Sequence, residues 1–261
     1  MAAPDLVLLS FIGGLAVALV TAPVGVSGAV FLLPIQISVL QIPSPAVTPT
    51  NLLFNVVAIP GALARYRTRG ALRSPLTTTL LAGTLPGVVV GACIRVFVIP
   101  GLEMFRLLLA GFLLPLGVWL MRRPGGRPAA HRSVPARRVT LAVAFGVGVL
   151  GGIYGIGGGS LLSPILVGAG MPLATVAPAT LVTTFVTSVA GAATYVILAL
   201  TTAGAQIAPH WAVGFAAGLG GLLGGYLGAH MQPRLPERVL ATLLGAVAIA
   251  TAVLYIAQSL H

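Results

Sequence analysis

The sequence predicts an all-α fold: a polytopic transmembrane helix bundle of two homologous repeats. Composition is the first reason. Of the 261 residues, 57% are hydrophobic and 7% charged, and the mean hydropathy is +1.07, whereas soluble domains carry about 25% charged residues. Charge placement is the second. Leu6–Ala64 and Val139–Pro233 contain no Asp, Glu, Lys or Arg, and about 20 apolar residues suffice for one crossing. The length therefore allows roughly seven to nine crossings and no separate soluble domain. Internal self-similarity is the third reason.

The start, "MAAPDLVLLSF", has no basic n-region, and its apolar stretch runs past a signal-peptide core. It reads as a retained first membrane segment. Pro and Gly then divide the uncharged run into pieces near 6–22 and 29–41, separated by "APVGVSG", and a helix near 46–64 after a "PSP" turn. Arg65, Arg67, Arg69 and Arg73 follow. Further spans are expected near 74–98 and 103–121, joined by "IPGLE". The stretch "RRPGGRPAAHRSVPARR" at 122–138 is polar, basic and rich in Pro and Gly, which makes it a linker.

The second half repeats the first. "APVGVSGAVFLLP" (22–34) matches "IYGIGGGSLLSP" (153–164), with Gly25 on Gly155, Gly28 on Gly158 and Pro34 on Pro164. One residue of slippage then pairs Pro43 with Pro172, Val47 with Val176, Pro49 with Pro178, Leu52 with Leu181 and Tyr66 with Tyr195. So many markers in register indicate duplication. The chain divides into a first transmembrane repeat (1–121), an Arg-rich cytoplasmic linker (122–138) and a second repeat (139–261). Each repeat is one Gly-broken segment, read as re-entrant, followed by three helices; the second set lies near 174–200, 209–231 and 236–258.

The formal charge of +11 comes from fourteen Arg against Asp5, Glu103 and Glu237. The Arg clusters flank apolar spans without interleaved aromatics, so they read as orientation signals rather than a nucleic-acid surface. Loops 65–73 and 122–138 are then cytoplasmic. If the broken segment crosses the membrane, the repeats are parallel. If it re-enters, they are inverted and loop 230–238, with Arg234 and Arg238, lies inside while the uncharged loop 201–208 lies outside. The Arg distribution favours inversion. Cys93, the only cysteine, allows no internal disulfide and no CxxC pair.

The run "GGIYGIGGGSLLSP" (151–164) poses the functional question, because irregular backbone at membrane depth is tolerated only where protein buries it or a watery cavity meets it. Free amides at the start of a half-helix favour an anion. Transporters build midplane sites from such discontinuous helices. The expected substrate-binding set is Gly25, Ser27 and Gly28 at the first break and Gly155, Gly157, Gly158, Gly159 and Ser160 at the second. Polar groups on the following helices complete it: Thr50, Asn51 and Asn55, and Thr180, Thr183 and Thr184, with Thr187 on the same helical face. Neutral hydroxyl and amide donors can desolvate an oxyanion without trapping it. The Gly-spaced stretch at 217–225 reads instead as helix packing. Arg95 and Arg106 read as snorkelling or locally paired side chains, with an anion-attracting vestibule as the sharper alternative. His210 and Trp211 read as an interfacial anchor.

No HExxH, GxSxG, P-loop or intramembrane carboxylate pair is present, so neither catalysis nor ATP-driven pumping is expected, and no metal or cofactor is called for. The rivals are a secondary transporter and a non-transporting membrane scaffold or assembly subunit. The strong copy "GGIYGIGGGSLLSPIL", its weaker copy "TAPVGVSGAVFLLPI" and the Pro/Thr-bearing helix after each resemble the sulfite exporter TauE/SafE family, also called the toluene sulfonate uptake permease family. The resemblance covers nearly the whole chain. It implies a multi-pass permease of the bacterial inner membrane that moves sulfite, a sulfonate or a related sulfur-containing anion. The expected partners are that small anion and the lipid bilayer, with no nucleic acid and with a homodimer left open.

Overall fold

A computed structural model describes residues 3–24, 26–67, 74–99, 101–122, 136–169, 171–202, 207–231 and 237–259. Every regular element among them is helical. The first half contains α1 (Ala3–Thr21), a 3-10 turn at Ala22–Val24, α2 (Ala29–Pro34) extended by a π turn at Ile35–Val39, α3 (Val47–Arg67), α4 (Pro75–Phe97) and α5 (Leu102–Arg122). The second contains α6 (Arg137–Tyr154), α7 (Leu162–Gly168), α8 (Leu173–Thr201), α9 (Trp211–Met231) and α10 (Glu237–Ser259). Seven of these are long and apolar enough to cross a bilayer: α1, α3, α4, α5, α6, α8 and α9. The chain is a multi-pass membrane protein.

Local chemistry sets the boundaries. Ser74 caps α4: its hydroxyl accepts from the Leu76 amide, and Pro75 takes the first helical position, where a missing N–H is harmless. Gly155 ends α6 at φ 69°, the left-handed conformation that favours glycine. Pro60, Pro86, Pro115 and Pro178 lie inside helices, which membrane helices tolerate when neighbours satisfy the freed carbonyls. His210 stands just before α9, and its Nδ1 accepts from the Val213 amide at 3.4 Å. It thus closes the helix start, while Trp211 stacks on Phe215 with ring centroids 6.1 Å apart.

Packing relies on small residues, because lipid offers helices no hydrophobic reason to associate. A methyl group on Gly220 would fall 2.0 Å from the Phe11 carbonyl oxygen, and one on Gly14 2.0 Å from that of Ala217. Backbone meets backbone along the whole α1–α9 seam, as Gly224 meets Leu15 and Gly228 meets Leu19. Contacts climb together in both helices, so α1 and α9 run parallel. The α4–α6 seam has the same character: Gly83 meets Ala144, Gly87 meets Gly148, and Gly91 meets Gly152. It too is parallel. Helix α3 lies parallel to α9 through Leu53–Gly214, Val57–Gly218 and Gly61–Leu222. Helices α5 and α10 run antiparallel, with Arg106 near Tyr255 and Gly117 against Gly245. The packing role read for 217–225 is what these contacts show.

Candidate functional site

Both breaks abut α3. Thr48, Asn51 and Asn55 follow at spacings of three and four, so they share one helical face, and all three are fully buried. Thr48 donates through Oγ1 to the Ile153 carbonyl at 3.0 Å. Asn51 Nδ2 donates to the Ala29 carbonyl at 3.0 Å and to that of Tyr154 at 3.4 Å. Asn55 accepts the Ser27 hydroxyl at Oδ1 and donates through Nδ2 to the Gly155 carbonyl at 3.4 Å. The two asparagines thus tie residues 27–29 of the first half to residues 154–155 of the second. Ser27 also accepts from the Ala29 amide at 3.1 Å, and Gly28 occupies the N-cap position of α2.

The second break is irregular from Gly155 to Leu161 and fully buried. Gly155 and Gly157 both have positive φ, 69° and 70°. Helix α8 covers one side of this turn. The Gly158 amide donates to Thr187 Oγ1 at 2.9 Å. Added methyl groups would meet Thr184 and Ser188 at Gly157, Thr84 at Gly158, and the Thr180 carbonyl oxygen at Gly159. Ser160 donates to the Ile156 carbonyl at 2.6 Å. The regular helix begins only at Leu162, two residues beyond the start expected near Ser160, because the tight turn runs on through Leu161.

The expected residues distribute unevenly. Ser27, Gly28, Asn51, Asn55, Gly155, Gly157, Gly158, Gly159, Ser160, Thr180 and Thr184 lie in or against the two breaks. Thr183 is buried on α8 with its hydroxyl on the Ala179 carbonyl at 2.8 Å. Thr180, Thr184 and Thr187 likewise donate to carbonyls one turn back. Thr50 lies apart: its hydroxyl donates to Ala46 and accepts the His210 amide at 2.7 Å, joining α3 to the start of α9. Gly25 falls outside the described residues. A cavity of about 20 Å3 touches Ser27 and Gly28 between α1, α3, α8 and α9, room for about one water molecule. The cluster is therefore closed in this conformation.

Arg95 is the residue that spacing misjudged. Its place near the end of α4 suggested snorkelling or local pairing, yet the side chain is fully buried. Nε donates to Thr48 Oγ1 at 3.3 Å, and the terminal nitrogens donate to the Ile99 carbonyl and the Ser44 hydroxyl. The guanidinium lies 4.4 Å from the Phe105 ring centre, and Phe105 packs on Tyr154 at 5.2 Å. None of these partners carries a negative charge. Thr48 connects this cation directly to the second break, because its hydroxyl also holds Ile153. Ser188 was missed as well. Its buried Oγ has no hydrogen-bond partner and faces Gly157. Ser188 lies four residues after Thr184, so the same helical spacing could have added it to that face.

Among the described residues no group of three or more His, Cys, Asp or Glu could hold a metal ion. No curated protein and no solved structure matches the chain. The model of one family, described as Sulfite exporter TauE/SafE, matches residues 10–255. Reaching from within α1 into α10 and so spanning both breaks, that match shows that the chain belongs to the sulfite exporter TauE/SafE family.

Proposed function

We propose that the protein is a secondary transporter that carries a small sulfur-containing anion, sulfite or an organosulfonate, across the bacterial inner membrane. The proposed site lies between the two breaks, on Ser27, Asn51, Asn55, Gly155–Ser160 and the Thr180–Thr187 face of α8. Family membership supports the transporter class. The observation that carries the reading is Arg95. An ionisable side chain buried in a membrane protein marks a ligand pathway by default. Here a full positive charge sits one hydroxyl away from the second break, with neutral partners only. An anion entering the turn would supply the missing charge. The unpaired Ser188 hydroxyl gives it a donor, and the Gly158 amide could exchange Thr187 for the ligand.

Inverted repeats fit this reading, with each broken segment re-entrant. Helices α5 and α10, which correspond in the two halves, run antiparallel. Such a pair can rock around a fixed site and expose it alternately. The closed cluster then corresponds to an occluded conformation. No catalytic step is part of this proposal. The test is transport in proteoliposomes of purified protein, with labelled sulfite and a labelled short sulfonate offered in both directions. Movement of either above protein-free vesicles supports the reading. A folded protein that moves neither overturns it and leaves the scaffold alternative.

A further inference from the structure

We propose a second anion seat, separate from the central cluster, in the cavity formed by Ile37, Ser38, Gln41, Ile42, Leu102 and Arg106. It would dock an amphiphilic oxyanion, with an anionic head on Arg106 and a short apolar body on the isoleucines and Leu102. This rests on the anion-transport reading and adds an entry site to it. The cavity measures about 500 Å3, within the range of small-molecule sites of about 300–1,000 Å3. It is far larger than the roughly one-water space beside Ser27.

Its charged group awaits a partner. Arg106 Nε is buried at the atom level and makes no hydrogen bond. Tyr255, fully buried on α10, stands with its ring centre 5.8 Å from the Arg106 guanidinium, and its hydroxyl lies beside that of Ser38. Polar groups from the π turn, α5 and α10 therefore converge at one place, with Arg106 Nε unpartnered among them. The rim adds a fourth feature: Gln41 holds φ 51°, left-handed backbone that a non-glycine residue rarely adopts. Backbone of this kind persists where the surroundings impose it, and it clusters at ligand clamps. Glu103, one turn from Arg106 on α5, is exposed.

A phospholipid headgroup shares this chemistry, so the experiment separates the two sources. Phenylglyoxal, which modifies arginine, is applied to the purified wild-type protein in uncharged detergent, and Arg106 modification is followed by peptide mass spectrometry. With 1-butanesulfonate near its dissociation constant, the rate should fall to about half that in chloride of equal ionic strength. Ser38→Ala should weaken that protection. In proteoliposomes, Arg106→Gln should raise the half-saturating butanesulfonate concentration about tenfold while the maximal rate holds, as loss of a steering charge does. Equal rates in butanesulfonate and chloride overturn the seat. So does protection by phosphatidylglycerol but not by butanesulfonate, which would identify a lipid site. If butanesulfonate protects Arg106 while vesicles move no sulfur anion, the seat stands and the transport reading falls. If transport proceeds with Arg106→Gln unchanged and no protection is seen, the reverse holds.

Discussion

At the scale of single residues, the buried cation and the crowded glycines make opposite predictions. Arg95 bonds only neutral groups, and taking a guanidinium out of water without a counter-charge costs several kcal/mol. Arg95→Gln should therefore keep most of the fold, because an amide can still serve part of the Ser44, Thr48 and Ile99 set, while transport falls by at least about tenfold for the lost attraction. Transport assays paired with size-exclusion profiles separate the two effects; unchanged transport in a folded variant would remove Arg95 from the proposed site. Gly159→Ala should act through stability. Its new methyl would sit 2.0 Å from the Thr180 carbonyl oxygen, and overpacking against backbone costs about 1–3 kcal/mol or more. A lowered thermal midpoint is the expected result, and a midpoint equal to wild type would show that the turn relaxes freely. Thr187→Val tests the exchange at Gly158. Losing the acceptor at 2.9 Å leaves a buried amide unpaired, a penalty of about 1–3 kcal/mol. An anion that binds there should restore more thermal stability to Thr187→Val than to wild type, and equal ligand-induced shifts would argue that the anion never reaches that amide.

At the scale of elements, the sequence was most legible where charge and glycine mark the ends of spans. The expected span near 74–98 is α4 at Pro75–Phe97, and that near 103–121 is α5 at Leu102–Arg122. Both have Pro or charged residues at their margins, signals that survive in one dimension. The broken segments were legible as breaks, since Gly155 and Gly157 use the positive φ that dense glycine allows. What faces those breaks was less so. Thr50 and Asn51 are neighbours in sequence, yet a 100° turn of helix sends one to His210 and the other to Ala29 and Tyr154. Polarity nominates both alike; the packing of α3 against α9 tells them apart, as does the repeat alignment, which pairs Asn51 with Thr180 but Thr50 with Ala179. Thr84 shows the same limit, because it approaches Gly158 from α4, a helix that no motif singled out. The seams themselves predict a graded response. Gly220→Leu on α9 places a large side chain where a single methyl already lies 2.0 Å from the Phe11 carbonyl oxygen. It should separate α1 from α9 and abolish the monodisperse folded protein. The same change at Gly146, with nothing within 4 Å, should be tolerated, and equal behaviour of the two variants would contradict close packing as the basis of the seam.

At the scale of the whole molecule, the helix directions constrain how the halves are related. Taking α1 as pointing up, α9 and α3 point up with it, since their contacts rise in register. Residues 68–74 join α3 to α4, a connection of the length that links antiparallel neighbours. Helix α4 then points down, and α6, parallel to it, points down as well. The first long helix of one half thus opposes the first of the other, as α5 opposes α10. Those directions are the ones that the inverted arrangement favoured by Arg placement requires, with the chain between α1 and α3 running back from the upper end of α1 to the lower start of α3. Single cysteines in a Cys93→Ser background test it in vesicles of known orientation. Ala136→Cys, at the end of the Arg-rich linker, and Met231→Cys, at the end of α9, should react with an impermeant maleimide from the cytoplasmic side. Thr202→Cys, at the end of α8, should react from the opposite side. Labelling of Thr202→Cys and Ala136→Cys from one side would instead require parallel repeats. The site between the breaks would then lack the two-fold relation on which alternating exposure depends.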